Sequence, residues 1–153
     1  EKKYPLNICF CQQCFMLQVV NIVKPEEIFS RYFYSSSAIE TLRDHFNQYA
    51  KDISSIPKDI NTSIVLEFGC NDGVLLKEFK KYKNFFCLGV DPSNNISNLA
   101  KKNGVKIINQ YFNKNTANKI LSKYKKFDYI TGSNVFAHID DIVNASINSC
   151  VKK

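Results

Sequence analysis

The chain has 153 residues, of which 44% are hydrophobic, so one domain with a small appendage can form a hydrophobic core. No run approaches the ~18 consecutive apolar residues of a membrane span, and no basic segment followed by an apolar one opens the chain. The composition therefore argues against a membrane protein and predicts a soluble, cytoplasmic one of unspecified oligomeric state.

The net charge of +7 raises the possibility of nucleic-acid binding. Arg31 and Arg43 are the only arginines, however, and arginine is the usual reader of base edges and clamp of phosphates. The lysines are spread in short pairs along helix surfaces and ends, which is typical of a solvated face. We therefore expect no nucleic-acid partner.

The chain divides into three regions. Residues 1–30 contain strand-like runs around a cysteine cluster and end near Pro25, which marks a break. Residues 31–62 contain apolar side chains at three- and four-residue steps from about 36 to 53, which predicts a helix. Residues 63–153 alternate short apolar runs with helical patterns of about ten residues.

This alternation predicts an α/β fold with a parallel sheet and right-handed crossovers. Strands are predicted at 64–68, 85–90, 105–108 and 127–131, and helices at 74–82, 96–102, 115–124 and, in part, 139–149. Sheets usually have five or six strands. We therefore expect the sheet of this chain to be incomplete at its carboxyl end.

The strongest motif is the segment Val65–Gly73, with the sequence VLEFGCNDG. A strand that enters such a turn and then a helix places backbone N–H groups at the carboxyl edge of the sheet, where open α/β sheets bind ligands. Glycine permits close approach or positive φ, and asparagine is among the more tolerant alternatives.

The glycine spacing indicates which ligand this turn holds. A dinucleotide fingerprint has glycine at its first, third and sixth positions, and the sixth position here is Val74. The segment Glu67–Gly73 instead resembles the E/D-x-G-x-G-x-G pattern of S-adenosylmethionine (SAM) methyltransferases, with Asn71 in place of the middle glycine. A nicotinamide enzyme and a turn without ligand are the alternatives.

Further candidates for the cofactor site follow later strands. Asp91 ends the second strand of the alternating region, where an acidic side chain can bind a ribose diol. Phe112 follows the third strand and either packs against adenine or belongs to the core. Asn134 follows the fourth strand and can donate or accept hydrogen bonds. His138 is a possible acid or base, or a surface histidine.

Four stretches together resemble one family, the SAM-dependent C-methyltransferases of nucleotide-linked deoxysugars, which carry an N-terminal zinc-binding domain. The stretches are Cys11–Gln18, Tyr32–Ser36, Glu67–Leu75 with Gly89–Pro92, and Asn134–His138. The resemblance implies SAM and a nucleotide-linked keto-deoxysugar as partners, and a class I, Rossmann-like methyltransferase fold.

The resemblance also implies a zinc site and an aromatic motif. Cys11 and Cys14 correspond to the second Cys-x-x-Cys pair of a four-cysteine zinc site, and no first pair precedes them here. We therefore expect no zinc in this chain, although zinc belongs to the full-length family member. Tyr32 and Tyr34 correspond to the motif that leads into the active-site cleft, and either approach the methyl-transfer centre or pack the linker onto the core.

In the family a histidine beside a glutamate is the presumed base that deprotonates the carbon next to a sugar ketone. No such pair occurs in this chain, and His138 belongs to a different motif. We therefore expect a fragment that supplies the donor site without the base and is inactive by itself.

Two other functions compete with this interpretation. One is a SAM methyltransferase with another acceptor, such as a small metabolite or a protein, from which the glycine turn and Asp91 do not distinguish it. The other is a zinc-ribbon module that binds nucleic acid, which the paucity of arginines and the single cysteine pair disfavour.

Overall fold

The computed structural model describes residues 2–56, 62–124 and 126–139. A two-stranded antiparallel sheet comes first in the chain, and a four-stranded parallel sheet with helices on both faces follows it. The predicted α/β fold class is confirmed.

The small antiparallel sheet consists of β1 (Ile8–Phe10) and β2 (Leu17–Val19). Both strands expose their side chains throughout, so they form no core of their own. The connecting turn carries the cysteine cluster and closes with hydrogen bonds between the main chains of Cys11, Phe15 and Met16.

Two helices and one helical turn connect this sheet to the larger one. They are α1 (Pro25–Phe29), a single 3₁₀ turn (Ser36–Ala38) and α2 (Glu40–Ser54). Pro25 occupies the first turn of α1. Backbone N–H groups in this turn have no acceptor within the helix, so the lack of an N–H in proline costs no hydrogen bond there. Pro25 therefore begins a helix at the position where we expected only a break.

The parallel sheet contains every other strand that the structure describes. The strands are β3 (Ser63–Phe68), β4 (Phe85–Val90), β5 (Lys106–Ile108) and β6 (Tyr129–Thr131). The helices after them are α3 (Val74–Phe79), α4 (Asn94–Lys102) and α5 (Lys114–Tyr124).

The strand order is β5-β4-β3-β6. The chain therefore moves outward from β3 through β4 to β5, and then returns to the other side of β3 to form β6. This reversal makes the gap between β3 and β6 a topological switch point, and ligands of open α/β sheets bind beside the carboxyl ends of the strands at such a point.

Each face of the sheet is covered by its own hydrophobic core. Val65 and Cys87 face α2, α3 and α4, where Phe46 and Phe79 are among the largest buried side chains. Leu66, Phe68, Leu88 and Val90 face the other way and pack with Ile120 of α5. Successive residues of β3 thus alternate between the two cores, as the pleat of a strand requires.

Most predicted elements of the parallel sheet lie within a few residues of the observed ones, and strand 85–90 has the predicted bounds. The helix predicted over 74–82 ends earlier, at Phe79. The partial helix predicted from 139 onward lies outside the described residues after Ile139. No helix in the described part of the chain has the length and apolar character that a membrane crossing needs.

Candidate functional site

A cleft of about 640 Å³ opens at the carboxyl ends of the parallel strands. A volume of this size is within the usual range for sites that bind small molecules or cofactors. Its lining contains seven of the predicted site residues, namely Tyr32, Tyr34, Gly69, Asn71, Asp91, Phe112 and Asn134. Segments far apart in sequence therefore converge on one concave surface.

The turn between β3 and α3 forms part of this lining and requires an unusual backbone. Gly69, Asn71 and Gly73 have φ angles of +63°, +50° and +75°. A Cβ on Gly69 would lie 2.5 Å from Cγ2 of Val135, so glycine here allows the loop after β6 to approach the turn. The glycine pattern therefore reflects packing between two loops as well as access for a ligand.

Asn71 makes contacts that its sequence position did not predict. Its Oδ1 accepts hydrogen bonds from the N–H groups of Ser36 and Asp72, each at 2.9 Å, and its Nδ2 donates to the carbonyl of Tyr34 at 3.0 Å. The asparagine lines the cleft, but its side-chain polar groups are engaged with the segment before α2.

Asp91 is held with its carboxylate at the edge of the cleft. Oδ2 accepts a hydrogen bond from the N–H of Asn71, and Oδ1 accepts one from the N–H of Ser93, both at 2.9 Å. The residue is only 6% exposed, and this burial raises the pKa of the carboxyl although the two N–H donors oppose the rise. Each oxygen keeps a further lone pair that can accept a hydroxyl.

Glu67 and Gly73 are absent from the lining, although both were predicted to contact the cofactor. Glu67 is 3% exposed, and its Oε2 has no hydrogen-bond partner among the described residues. Burial, with a smaller contribution from the Asp91 and Asp72 charges, raises the pKa of Glu67 well above its ordinary value. The missing Cβ of Gly73 faces Val105 at 2.8 Å, so this glycine packs the turn against the loop before β5.

An aromatic wall closes one side of the cleft. Phe29 contacts Tyr32 at a ring-centroid distance of 5.6 Å and His138 at 5.4 Å, and Tyr32 in turn contacts Tyr34 at 6.3 Å. All four side chains line the cleft. Phe29 was not predicted as a site residue from the sequence. The only sequence feature that could have indicated it is Pro25, which begins the helix that ends at Phe29.

The loop after β5 lines another side of the cleft with Tyr111 and Phe112. Phe112 stacks on Phe68, with ring centroids 4.7 Å apart and planes 12° apart, so it is both a core residue and a cleft residue. The Tyr111 hydroxyl is buried and has no hydrogen-bond partner among the described residues. Burial also raises the pKa of this phenol.

The loop after β6 contributes Ser133 and Asn134 to the lining. Asn134 has a φ of +54°, a conformation that asparagine tolerates better than most residues. Asn134 thus lies in the loop after β6, beside the switch point.

The predicted metal ligands Cys11 and Cys14 lie in the turn between β1 and β2, outside the lining of the cleft. Backbone N–H groups of Cys14 and Gln13 lower the pKa of the Cys11 thiol. Residues 2–56, 62–124 and 126–139 contain no group of three or more side chains that could hold a metal ion. The described residues thus do not complete the four-ligand site that structural zinc requires.

Comparison with known proteins identifies the family. A family model described as a methyltransferase domain matches residues 39–153. C-methyltransferase NovU of Streptomyces niveus is 26% identical over 142 residues, which cover 93% of this chain and 34% of that protein. The chain therefore spans about a third of the length of this curated relative.

Solved structures agree on the fold. A putative S-adenosyl-L-methionine-dependent methyltransferase from Methanococcus maripaludis has a TM-score of 0.57 at 15% identity, over 80% of this chain and 62% of that one. A SAM-dependent methyltransferase of Thermotoga maritima, possibly a histamine N-methyltransferase, has a TM-score of 0.51 at 21% identity, over 72% and 47%. By its fold and by the matched domain, the chain belongs to the methyltransferase domain family.

Proposed function

We propose that the chain binds SAM in the cleft at the carboxyl edge of its parallel sheet and is the donor-binding part of a SAM-dependent C-methyltransferase. The observation that carries this proposal is the buried Asp91 carboxylate, hydrogen-bonded to the glycine-rich turn and open toward the cleft. A carboxylate at the end of the strand next to such a turn is the expected acceptor for a ribose diol.

The residues of the cleft fit the chemical groups of SAM. Asp91 would accept hydrogen bonds from the ribose hydroxyls through its unused lone pairs. Phe112 offers an apolar surface, and Tyr111 offers a buried hydroxyl that has no hydrogen-bond partner in the part of the chain that the structure describes; both would suit the adenine base. Gly69 brings the main chain of the turn to the cleft surface, where it would contact the methionine part of SAM.

When bound, SAM supplies an electrophilic methyl group on a positively charged sulfur. The residues of this chain would bind and orient that donor, and the walls of the cleft would exclude water from it. Orientation of two reactants accounts for a large part of many enzymatic rate enhancements.

For the acceptor we propose a nucleotide-linked keto-deoxysugar, methylated on carbon. Support comes from the motif Tyr32–Ser36, which lies at the cleft, and from the resemblance to a C-methyltransferase at 26% identity. Tyr32 and Tyr34 contact each other and both line the cleft, and aromatic rings that carry hydroxyl groups suit a sugar ring. We assign them to the acceptor side.

Isothermal titration calorimetry with S-adenosylhomocysteine (SAH), the product form of the cofactor, tests the donor site. We expect saturable binding at one site, and no saturable binding of NAD⁺ because Val74 occupies the third glycine position of a dinucleotide turn. A folded chain that gives no heat with SAH would refute the proposal.

The acceptor needs a separate experiment on the complete protein that contains this chain. Transfer of a labelled methyl group from SAM to nucleotide-linked keto-sugars would support the proposal, particularly if the label resists the boron tribromide treatment that cleaves sugar methyl ethers. Transfer only to other metabolites or to protein would leave the donor site intact and contradict the sugar assignment.

A further inference from the structure

The segment that carries both tyrosines is bound directly to the loops of the donor site. We call residues 30–37 the linker segment. One end of it lies against the start of α4, where the N–H of Asn94 donates to the carbonyl of Ser30 at 3.2 Å. Asn95 also exchanges two hydrogen bonds with the main chain of Tyr32, at 3.1 and 2.6 Å.

The other end of the linker segment lies against the glycine-rich turn. Asn71 accepts from the N–H of Ser36 and donates to the carbonyl of Tyr34. Asp72 accepts from the N–H of Ser37 at 3.0 Å and from the hydroxyl of Ser35. The side chains of the turn thus cap the 3₁₀ turn that begins at Ser36, in the way that acidic and amide side chains cap helices.

These contacts form a continuous path from the ribose acceptor to the aromatic wall. Asp91 accepts a hydrogen bond from the N–H of Asn71, and the side chain of the same Asn71 holds the main chain of Tyr34. Tyr34 contacts Tyr32, and both line the cleft. A change in the conformation of the glycine-rich turn would therefore be transmitted through Asn71 to Tyr34 and Tyr32 of the aromatic wall.

Asn71 and Asp72 are residue types that suit contact with the linker segment better than they suit the turn by itself. Glycine would adopt the φ of +50° at position 71 more easily than asparagine does. Asp72 is fully buried, and the charge of a buried carboxylate is costly without partners. The two donors that the structure gives its side chain, the hydroxyl of Ser35 and the N–H of Ser37, both bind Oδ2 and belong to the linker segment. Oδ1 is buried and has no hydrogen-bond partner among the described residues.

We propose that Asn71 and Asp72 are positioning residues that dock the linker segment on the donor-binding turn, so that cofactor binding orders the tyrosine wall on the acceptor side. This inference rests on the proposed function, because it takes the ligand of the turn to be SAM. It predicts that a ligand at Asp91 stabilises the linker segment although it need not contact Ser36 or Ser37. Donor and acceptor binding are then coupled, with each favouring the other.

Hydrogen–deuterium exchange measured by mass spectrometry tests the docking without an acceptor. Asn71→Gly keeps the backbone conformation accessible and removes the side chain. We expect amide exchange at residues 34–38 to accelerate on the order of tenfold to a hundredfold, since two hydrogen bonds to the segment are lost together. Asn71→Asp keeps the oxygen that Ser36 uses and should give a smaller acceleration.

The control is Asn118→Gly, which makes the same change at an exposed position of α5, the helix that packs on the opposite face of the sheet from α2 and α3. It should leave exchange at 34–38 unchanged. An Asn71→Gly protein with normal exchange at 34–38, or with equal acceleration in β3 and β4, would overturn the docking. Asp72→Asn, which removes the charge and keeps the shape, gives a second and independent measurement of the same segment.

The coupling is tested by adding SAH to the same proteins. At a saturating concentration of SAH, exchange at 34–38 should slow in the wild type and should not slow in Asn71→Gly. SAH that binds the wild type without slowing this segment would overturn the coupling. If SAH does not bind the wild type at all, the proposed function fails, whereas the ligand-free comparison still decides whether Asn71 docks the linker segment.

Discussion

Replacement of Asp91 by asparagine should weaken SAH binding strongly while the fold is retained. The carboxylate accepts two backbone hydrogen bonds, from Asn71 and Ser93, and has one lone pair left on each oxygen for the ribose. An amide has a single acceptor oxygen, so in Asp91→Asn one N–H loses its partner and the diol loses its charged acceptor.

The magnitude follows from these two losses. Hydrogen bonds to a charged group contribute about 1.5–3 kcal/mol, so SAH affinity should fall by about 10- to 150-fold. The unpartnered N–H should lower the free energy of unfolding by about 1–3 kcal/mol. Titration calorimetry measures the first quantity, and urea denaturation followed by circular dichroism measures the second.

Asp44→Asn is the matched control, because Asp44 is an exposed carboxylate on α2 and its replacement changes the net charge equally. Its SAH affinity should stay within about twofold of the wild type, since surface changes are usually small. If Asp91→Asn binds SAH as tightly as Asp44→Asn does, Asp91 is not the ribose acceptor.

Three further predictions concern the turn, the core and pH. Gly69→Ala should reduce both stability and SAH affinity more than Gly104→Ala does, because both glycines have positive φ but only the Cβ added at position 69 meets a branched side chain at 2.5 Å. Equal thermal midpoints and equal SAH affinities of the two variants would contradict the close packing of the turn at Gly69. Phe79→Ala should lower the free energy of unfolding by about 3–5 kcal/mol, because the Phe79 ring is fully buried, whereas Phe33→Ala should lower it by less than about 0.5 kcal/mol, because Phe33 is 88% exposed. Similar values for the two variants in urea denaturation would contradict the assigned core. Glu67→Gln should gain stability over the wild type as pH rises above 4.5. The wild-type carboxyl then ionises in the unfolded chain, whereas burial raises its pKa in the folded chain and keeps it protonated there, so the wild type loses stability with rising pH. A thermal-midpoint difference that stays constant with pH would refute this.

The sequence contains most of the information that defines the parallel sheet. β4 is a continuous apolar run, and β3 is apolar apart from Ser63 and Glu67, because both faces of these strands are largely buried; such runs are recognisable without structural context. The end of α3 was less predictable. The apolar pattern continues to Tyr82, but the helix ends at Phe79, and Tyr82 packs beside the core from a turn.

The candidate site was predictable wherever it depends on strand ends. Gly69, Asp91 and Asn134 follow three different strands, and a parallel sheet brings such positions to one edge. Glu67 differs from them because it lies within β3 and its side chain is buried below that edge. The sequence of the motif alone does not distinguish residues that line the cleft, such as Gly69, from residues that only shape the turn, such as Gly73.

The docking of the linker segment could not be predicted. The contacts of Asn71 and Asp72 with residues 34–37 join parts of the chain that are 35 to 37 residues apart. Neither the spacing nor the residue types in the linker segment indicate such a pairing. The packing of α2 against α3 and the contacts of the linker segment with the start of α4 bring the two segments together.

The most direct test of the account is a crystal structure of the chain in complex with SAH. We expect the nucleoside in the cleft, with ribose oxygens within about 3 Å of the Asp91 carboxylate and the base beside Phe112. SAH bound at any other surface, or a cleft that stays empty in crystals grown at saturating SAH, would contradict the central claim that this cleft is a methyl-donor site.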